Sequence, residues 1–179
     1  MNRRQFLKQA GVLGAAALLA RTGVAGASAT DRPNILFFFV DDMGWQDTSE
    51  PFYKEATKLN AWYHSPNIER LADEGMKFTQ AYACALCSPT RVSLMTGFNA
   101  ARHRVTNWTL RKNASPDPKH PELEMPAWNV NGLSPRPGVE RTVYARTLPM
   151  FLREAGYHTI HAGKAHWGAK GAPGEDPTN

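Results

Sequence analysis

The chain has 179 residues, 42% hydrophobic and 21% charged, a balance that excludes a disordered, collagenous or coiled-coil protein. Its two cysteines exclude a disulfide-stapled scaffold. The net charge of +5 comes mostly from Arg3, Arg4, Lys8 and Arg21, which leaves +1 for residues 30–179 and argues against a nucleic-acid partner or a stable membrane anchor.

Residues 1–29 read as an address label. A paired-arginine start (RRQFLK) is followed by a moderately apolar stretch over 10–20 and a small-residue cleavage site at Ala25-Gly26-Ala27. The apolar stretch is shorter than the ~20 residues a membrane span requires. The order RRQFLK resembles the twin-arginine export signal, which implies the twin-arginine translocase as a partner and a periplasmic or secreted location.

Residues 34–40 (NILFFFV) form a continuous apolar run that predicts a strand buried on both faces, ended by Asp41-Asp42. Ser65-Pro66 predicts a helix start, with Gly75 as its stop. A second strand is expected over 76–83. A second helix runs from Ser88-Pro89 to Gly97, and a third from Thr147-Leu148-Pro149 to Gly156. Residues 157–162 complete the pattern as a third strand. Strands alternating with helices predict an α/β fold with a mostly parallel central sheet. Residues 98–146 show no helix or strand period, and six prolines fall between Pro116 and Pro137. We read about 112–140 as an insertion over the rim of a site, with a solvated surface excursion as the plainer alternative.

Open α/β sheets bind ligands beyond the carboxyl ends of their strands, and three polar clusters fall at such places. Asp41 and Asp42 are adjacent like charges that a hard cation, calcium or magnesium, would neutralise; a turn or helix cap is the plainer reading. Cys87 lies at a helix N-terminus, where free N–H groups and the helix dipole favour anions, and Arg91 is one turn on. Lys164 and His166 are two apart after the third strand and would share a side if extended. His103, with Arg102 and Arg104, either adds positive potential or belongs to a solvated loop. Cys84 and Cys87 make a C-x-x-C, a weak redox or zinc signal without a second pair.

These residues are arranged as in the type I, formylglycine-dependent sulfatase family. Cys87-Ser88-Pro89-Thr90-Arg91 through Thr96-Gly97 fits the signature C-x-P-x-R-x-x-x-x-T-G at every fixed position. Arg32-Pro33-Asn34-Ile35 leading to Asp41-Asp42 resembles the family's opening strand, and Gly163-Lys164-Ala165-His166-Trp167-Gly168 its G-K-x-H-x-G segment. The resemblance implies an alkaline-phosphatase-like fold and a sulfuric ester hydrolase acting on sulfated carbohydrate or aryl sulfate. Cys87 would be converted to formylglycine by a maturing enzyme that reads residues 87–91. Asp41, Asp42 and the modified Cys87 would bind calcium. Arg91 would hold the formylglycine hydrate, Lys164 the sulfate, and His166 would orient or deprotonate the hydrate.

The segment departs from the family at Ala165 and Trp167, which implies a different neighbouring pocket. The chain stops soon after the third cluster, so it is expected to be the N-terminal part of a catalytic domain spanning residues 30–179, with an incomplete calcium shell. Three rivals remain. One is a phosphate or phosphonate ester hydrolase of the same superfamily. Another is an inactive anion-binding fragment. The third is a thiol redox protein using Cys84 and Cys87.

Overall fold

A computed structural model describes residues 32–123 and 128–175, so the expected signal peptide at 1–29 lies outside the described residues. The chain divides into one unit ending at Phe39 and another running from Val40 to Asn179.

In the first unit, residues 34–39 carry no helix or strand, and the Phe37 and Phe39 rings lie with centroids 5.9 Å apart. Leu36 is 92% exposed. The expectation of a doubly buried strand is corrected here. A continuous apolar run supplies the composition of a buried strand, but a ladder needs a second strand beside it, and this unit's described residues carry none.

In the second unit the helices follow the sequence closely. Helix α1 spans Pro66–Glu74 and ends at Gly75. The Ser65 hydroxyl does not cap it and instead pairs with the Ser49 hydroxyl at 2.7 Å. Helix α2 spans Cys87–Thr96 and stops at Gly97, whose φ of 69° is the left-handed turn glycine allows. Helix α3 is the single turn Ala100–His103. Helix α4 spans Leu148–Glu154, with the Met150 N–H donating to the Thr147 carbonyl at 2.9 Å.

The strands do not follow the sequence. Residues 76–83 and 157–162 carry no ladder, and Tyr82 and Ile160 are exposed. The strand pair among the described residues is β1 (Leu133–Ser134) beside β2 (Val143–Tyr144), parallel, with Leu133 opposite Val143. It lies where the sequence shows no strand period, and β1 lies inside the proline-rich stretch. That region is not a solvated excursion throughout: Val105, Leu133 and Val143 pack with Val92 of α2 and Trp167 as the buried cluster. The Leu133 N–H donates to the Trp167 carbonyl at 2.8 Å, joining β1 to the segment that carries Lys164 and His166. Helices plus one parallel pair agree with the α/β class; the expected central sheet is not seen among the described residues.

Gly132, next to β1, has φ +78°, and a Cβ there would collide with the Trp167 carbonyl and stand 2.7 Å from the Gly168 Cα. Gly138 has φ +77° with open space around it. Gly138→Ala is therefore expected to cost about 1–2 kcal/mol from backbone strain alone. Gly132→Ala should cost roughly 4 kcal/mol or more, because backbone must move as well. Urea unfolding of the two variants checks the difference.

Candidate active site

Cys87 opens α2, and local hydrogen bonds fix the turn that presents it. The Thr90 N–H donates to the Leu86 carbonyl at 3.2 Å. The Thr90 hydroxyl donates within reach of both the Leu86 and Cys84 carbonyls, at 2.8 and 3.1 Å. One helical turn on, Arg91 points to the same side as Cys87, so α2 delivers a sulfur and a guanidinium to one place.

Asp41 joins that place to the chain's far end. Its Oδ1 accepts from Arg91 Nη2 at 2.9 Å, and its Oδ2 accepts from Lys164 Nζ at 2.5 Å. Arg91 Nη1 also donates to the Lys164 carbonyl. The hydrogen bonds from Lys164 and then Arg91 hold the Asp41 carboxyl below its ordinary range. Asp41 in turn raises Lys164, so both stay charged across the neutral range.

His166 completes the group. Its Nδ1 lies 3.3 Å from Cys87 Sγ. Burial pushes its pKa down, and the charges of Lys164 and Arg91 push it further; the backbone of Thr109 hydrogen-bonds the ring and works against this. The imidazole is therefore neutral near pH 7, able to take a proton from its neighbour. Its φ of 50° is left-handed, a strained conformation for a residue with a Cβ.

The structure thus brings together Asp41, Cys87, Arg91, Lys164 and His166. It does not bring in Asp42. Asp42 adopts φ 57°, is exposed, and makes no hydrogen bond or ion pair among the described residues. That bears on the implied calcium. The ion takes about six to eight oxygen ligands. Both Asp41 oxygens are engaged by cations, and no three His, Cys, Asp or Glu side chains are placed so that together they could hold a metal ion among the described residues. These residues by themselves do not fit the calcium site that the resemblance implies.

Two features escaped the sequence. The Ser88 hydroxyl is buried against Thr109, accepting its N–H at 3.1 Å. His103 is fully buried and neutral, because burial lowers its pKa, and it meets Ser93 Oγ at 2.9 Å. It therefore adds no positive potential and is not in a solvated loop. No period marks either residue; a histidine that closes a single helical turn gives no local sign of burial. Cys84 and Cys87 are both free thiols, not the disulfide that the redox rival predicts in its oxidised form.

The Asp41 geometry fixes a pH dependence. A depressed carboxyl contributes stability that is fully present above the unfolded carboxylate value near 3.9 and is lost as pH falls through the folded value below it. Asp41→Asn should therefore be less stable than the wild type at pH 6, with the gap closing below about pH 4. Thermal unfolding across that range checks it; a gap independent of pH would contradict the ion pairs.

Residues 33–175 match the family described as Sulfatase. Residues 1–20 match the signal sequence of the twin-arginine translocation pathway, so the chain is exported by that route to the periplasm or beyond. The chain is similar to a sulfatase of Formosa agariphila, 37% identical over 145 residues, covering 77% of this chain and 23% of the relative. It is similar to an uncharacterized sulfatase of Schizosaccharomyces pombe, 36% identical over 142 residues, covering 76% of this chain and 21% of the relative. It is also similar to the N-acetylgalactosamine-6-sulfatase of Canis lupus familiaris, 34% identical over 152 residues, covering 84% and 25%. The chain spans about a fifth to a quarter of the length of these relatives. A family match across most of the chain, meeting a site in which an aspartate holds an arginine and a lysine beside a paired cysteine and histidine, places the chain in the sulfatase family.

Proposed function

We propose that the protein hydrolyses sulfate esters, with sulfated carbohydrate as the substrate class. The observation that carries this is the convergence of Arg91 and Lys164 on one spot beside Cys87 and His166. A sulfate ester is an anion, and attack at its sulfur needs fixed positive charge. The dog relative's name, N-acetylgalactosamine-6-sulfatase, specifies a sulfated amino sugar, which supports the substrate class.

In this reading Cys87 is the site of conversion to formylglycine by a maturing enzyme, and the hydrated aldehyde supplies the oxygen nucleophile. The fold is the alkaline-phosphatase-like one, and residues 30–179 are the N-terminal part of the catalytic domain. Lys164 Nζ binds a sulfate oxygen once it exchanges Asp41 for substrate. Arg91, buried and fixed by Asp41 and by the Lys164 carbonyl, balances charge at residue 87. His166, neutral at working pH, receives a proton at Nδ1 from the group at residue 87. Asp41 sets the spacing of the two cations. No step is assigned to calcium, since these residues do not build its site.

Rates on p-nitrophenyl sulfate and p-nitrophenyl phosphate test the reading, using protein in which residue 87 is verified as converted. Sulfate ester hydrolysis should dominate. Lys164→Ala should lower it by about 10²-fold, the usual loss for one preorganised charge-stabilising group. Faster phosphate ester hydrolysis would favour the phosphatase-type alternative. No hydrolysis of either ester would favour an anion-binding role.

A further inference from the structure

A cavity of about 740 Å³ opens beside α2, and none of the residues gathered at the active site lines it. Its size is that of a small-molecule site. Buried Leu133 and Trp167, with half-buried Met95 of α2 and Met150 of α4, supply an apolar surface. Trp167 is one of the two departures from the family's segment, and the His161 ring leans on it with centroids 4.9 Å apart. Two cations add charge to that surface. Arg136 comes from the proline-rich stretch expected to cover a site, and Arg153 from the last turn of α4. Both are exposed, and neither side chain makes a hydrogen bond or ion pair among the described residues. Arg146, by contrast, pairs with Glu154. None of the described residues lining the cavity is acidic. Two unneutralised guanidinium groups beside an apolar surface fit a ligand that carries an oxyanion on a ring. The Thr159 hydroxyl and the His161 ring, neither hydrogen-bonded among the described residues, supply partners for the hydroxyls of a sugar.

Helix α2 links this cavity to the active site. Cys87, Arg91 and Met95 are spaced i, i+4 and i+8, so they follow one stripe of the helix. Cys87 opens the stripe, and Met95 lies about 12 Å along the axis, at a rise of about 1.5 Å per residue. A ligand with one sulfate at residue 87 therefore reaches the cavity only if it is longer than a single sugar. We propose that the cavity is a second subsite, which binds a further sulfated sugar of an oligosaccharide whose reacting sulfate lies at residue 87. Arg136 and Arg153 hold the sulfate of that further sugar. The direction of the oligosaccharide rests on the reading of Cys87 as the reacting end; binding of a sulfated sugar in the cavity does not.

The test is calorimetric titration of the full chain, with Cys87 unconverted so that nothing turns over. The probe is a hexasaccharide bearing N-acetylgalactosamine 6-sulfate at alternate positions, with its desulfated form and p-nitrophenyl sulfate as comparisons. The wild type is expected to bind the sulfated hexasaccharide more tightly than either comparison. Arg136→Ala and Arg153→Ala should each raise its Kd about tenfold, the scale of one lost charge-assisted hydrogen bond. Both arginines are exposed, so neither change disturbs the buried cluster. Arg70→Ala, on exposed α1, should leave the Kd as it was. Failure of the wild type to prefer the sulfated hexasaccharide, unchanged binding in Arg136→Ala and Arg153→Ala, or an equal loss in Arg70→Ala would each overturn the subsite. Tighter binding of p-nitrophenyl sulfate, lost in the two variants, would make the cavity an aryl sulfate pocket and overturn it as well. Absence of sulfate ester hydrolysis by converted protein would instead refute the sulfatase reading and leave these binding comparisons intact.

Discussion

Everything at the site depends on one carboxylate shared by two cations. Asp41 holds Arg91 with one oxygen and Lys164 with the other, linking points 50 and 123 residues away along the chain. Arg91 is almost fully buried, and a buried guanidinium without its partner is expensive. Arg91 in turn grips the Lys164 backbone carbonyl, so its position sets the path of the following residues and brings His166 to Cys87. The pair is more than a surface ion pair of small value. It organises a positively charged pocket that would otherwise be held apart by repulsion.

Helix α2 carries this arrangement because it is fixed on several sides. Val92 anchors it in the apolar cluster with Leu133 and Trp167. Ser88 ties it to Thr109, and Ser93 to His103. Cys87 and Arg91 are left on the side facing the site. A helix N-terminus favours anions there, and two cations strengthen the preference. The same helix therefore serves packing, charge and chemistry, and the neutral His166 is able to take a proton.

Helix ends were legible because their signals are local: Pro66 fixes φ and needs no partner for a missing N–H, while Gly97 and Gly156 act through a positive φ and one hydrogen bond each. Strands were not, because a ladder is a relation between distant segments. Residues 34–40 show the composition of a buried strand and lie exposed; Leu133 and Val143, amid prolines and glycines, lie buried and paired. A weak alternation was available at Val143-Tyr144-Ala145, where the middle residue is the exposed one. Four site residues, Cys87, Arg91, Lys164 and His166, were legible from motif spacing. Asp41 was found as a carboxylate, but its role as a counter-ion to both cations depends on tertiary placement. Asp42 shows the limit of adjacency: it is next to Asp41 on a turn, yet shares neither of its ion pairs.

The central claim is that Cys87 is the precursor of the nucleophile. Mass spectrometry of the tryptic peptide ending at Arg91, from protein made in a host able to perform the modification, tests it most directly. The account predicts that residue 87 has lost its sulfur and two hydrogens and gained one oxygen, the change from cysteine to formylglycine. An intact thiol at residue 87 in that protein would contradict it.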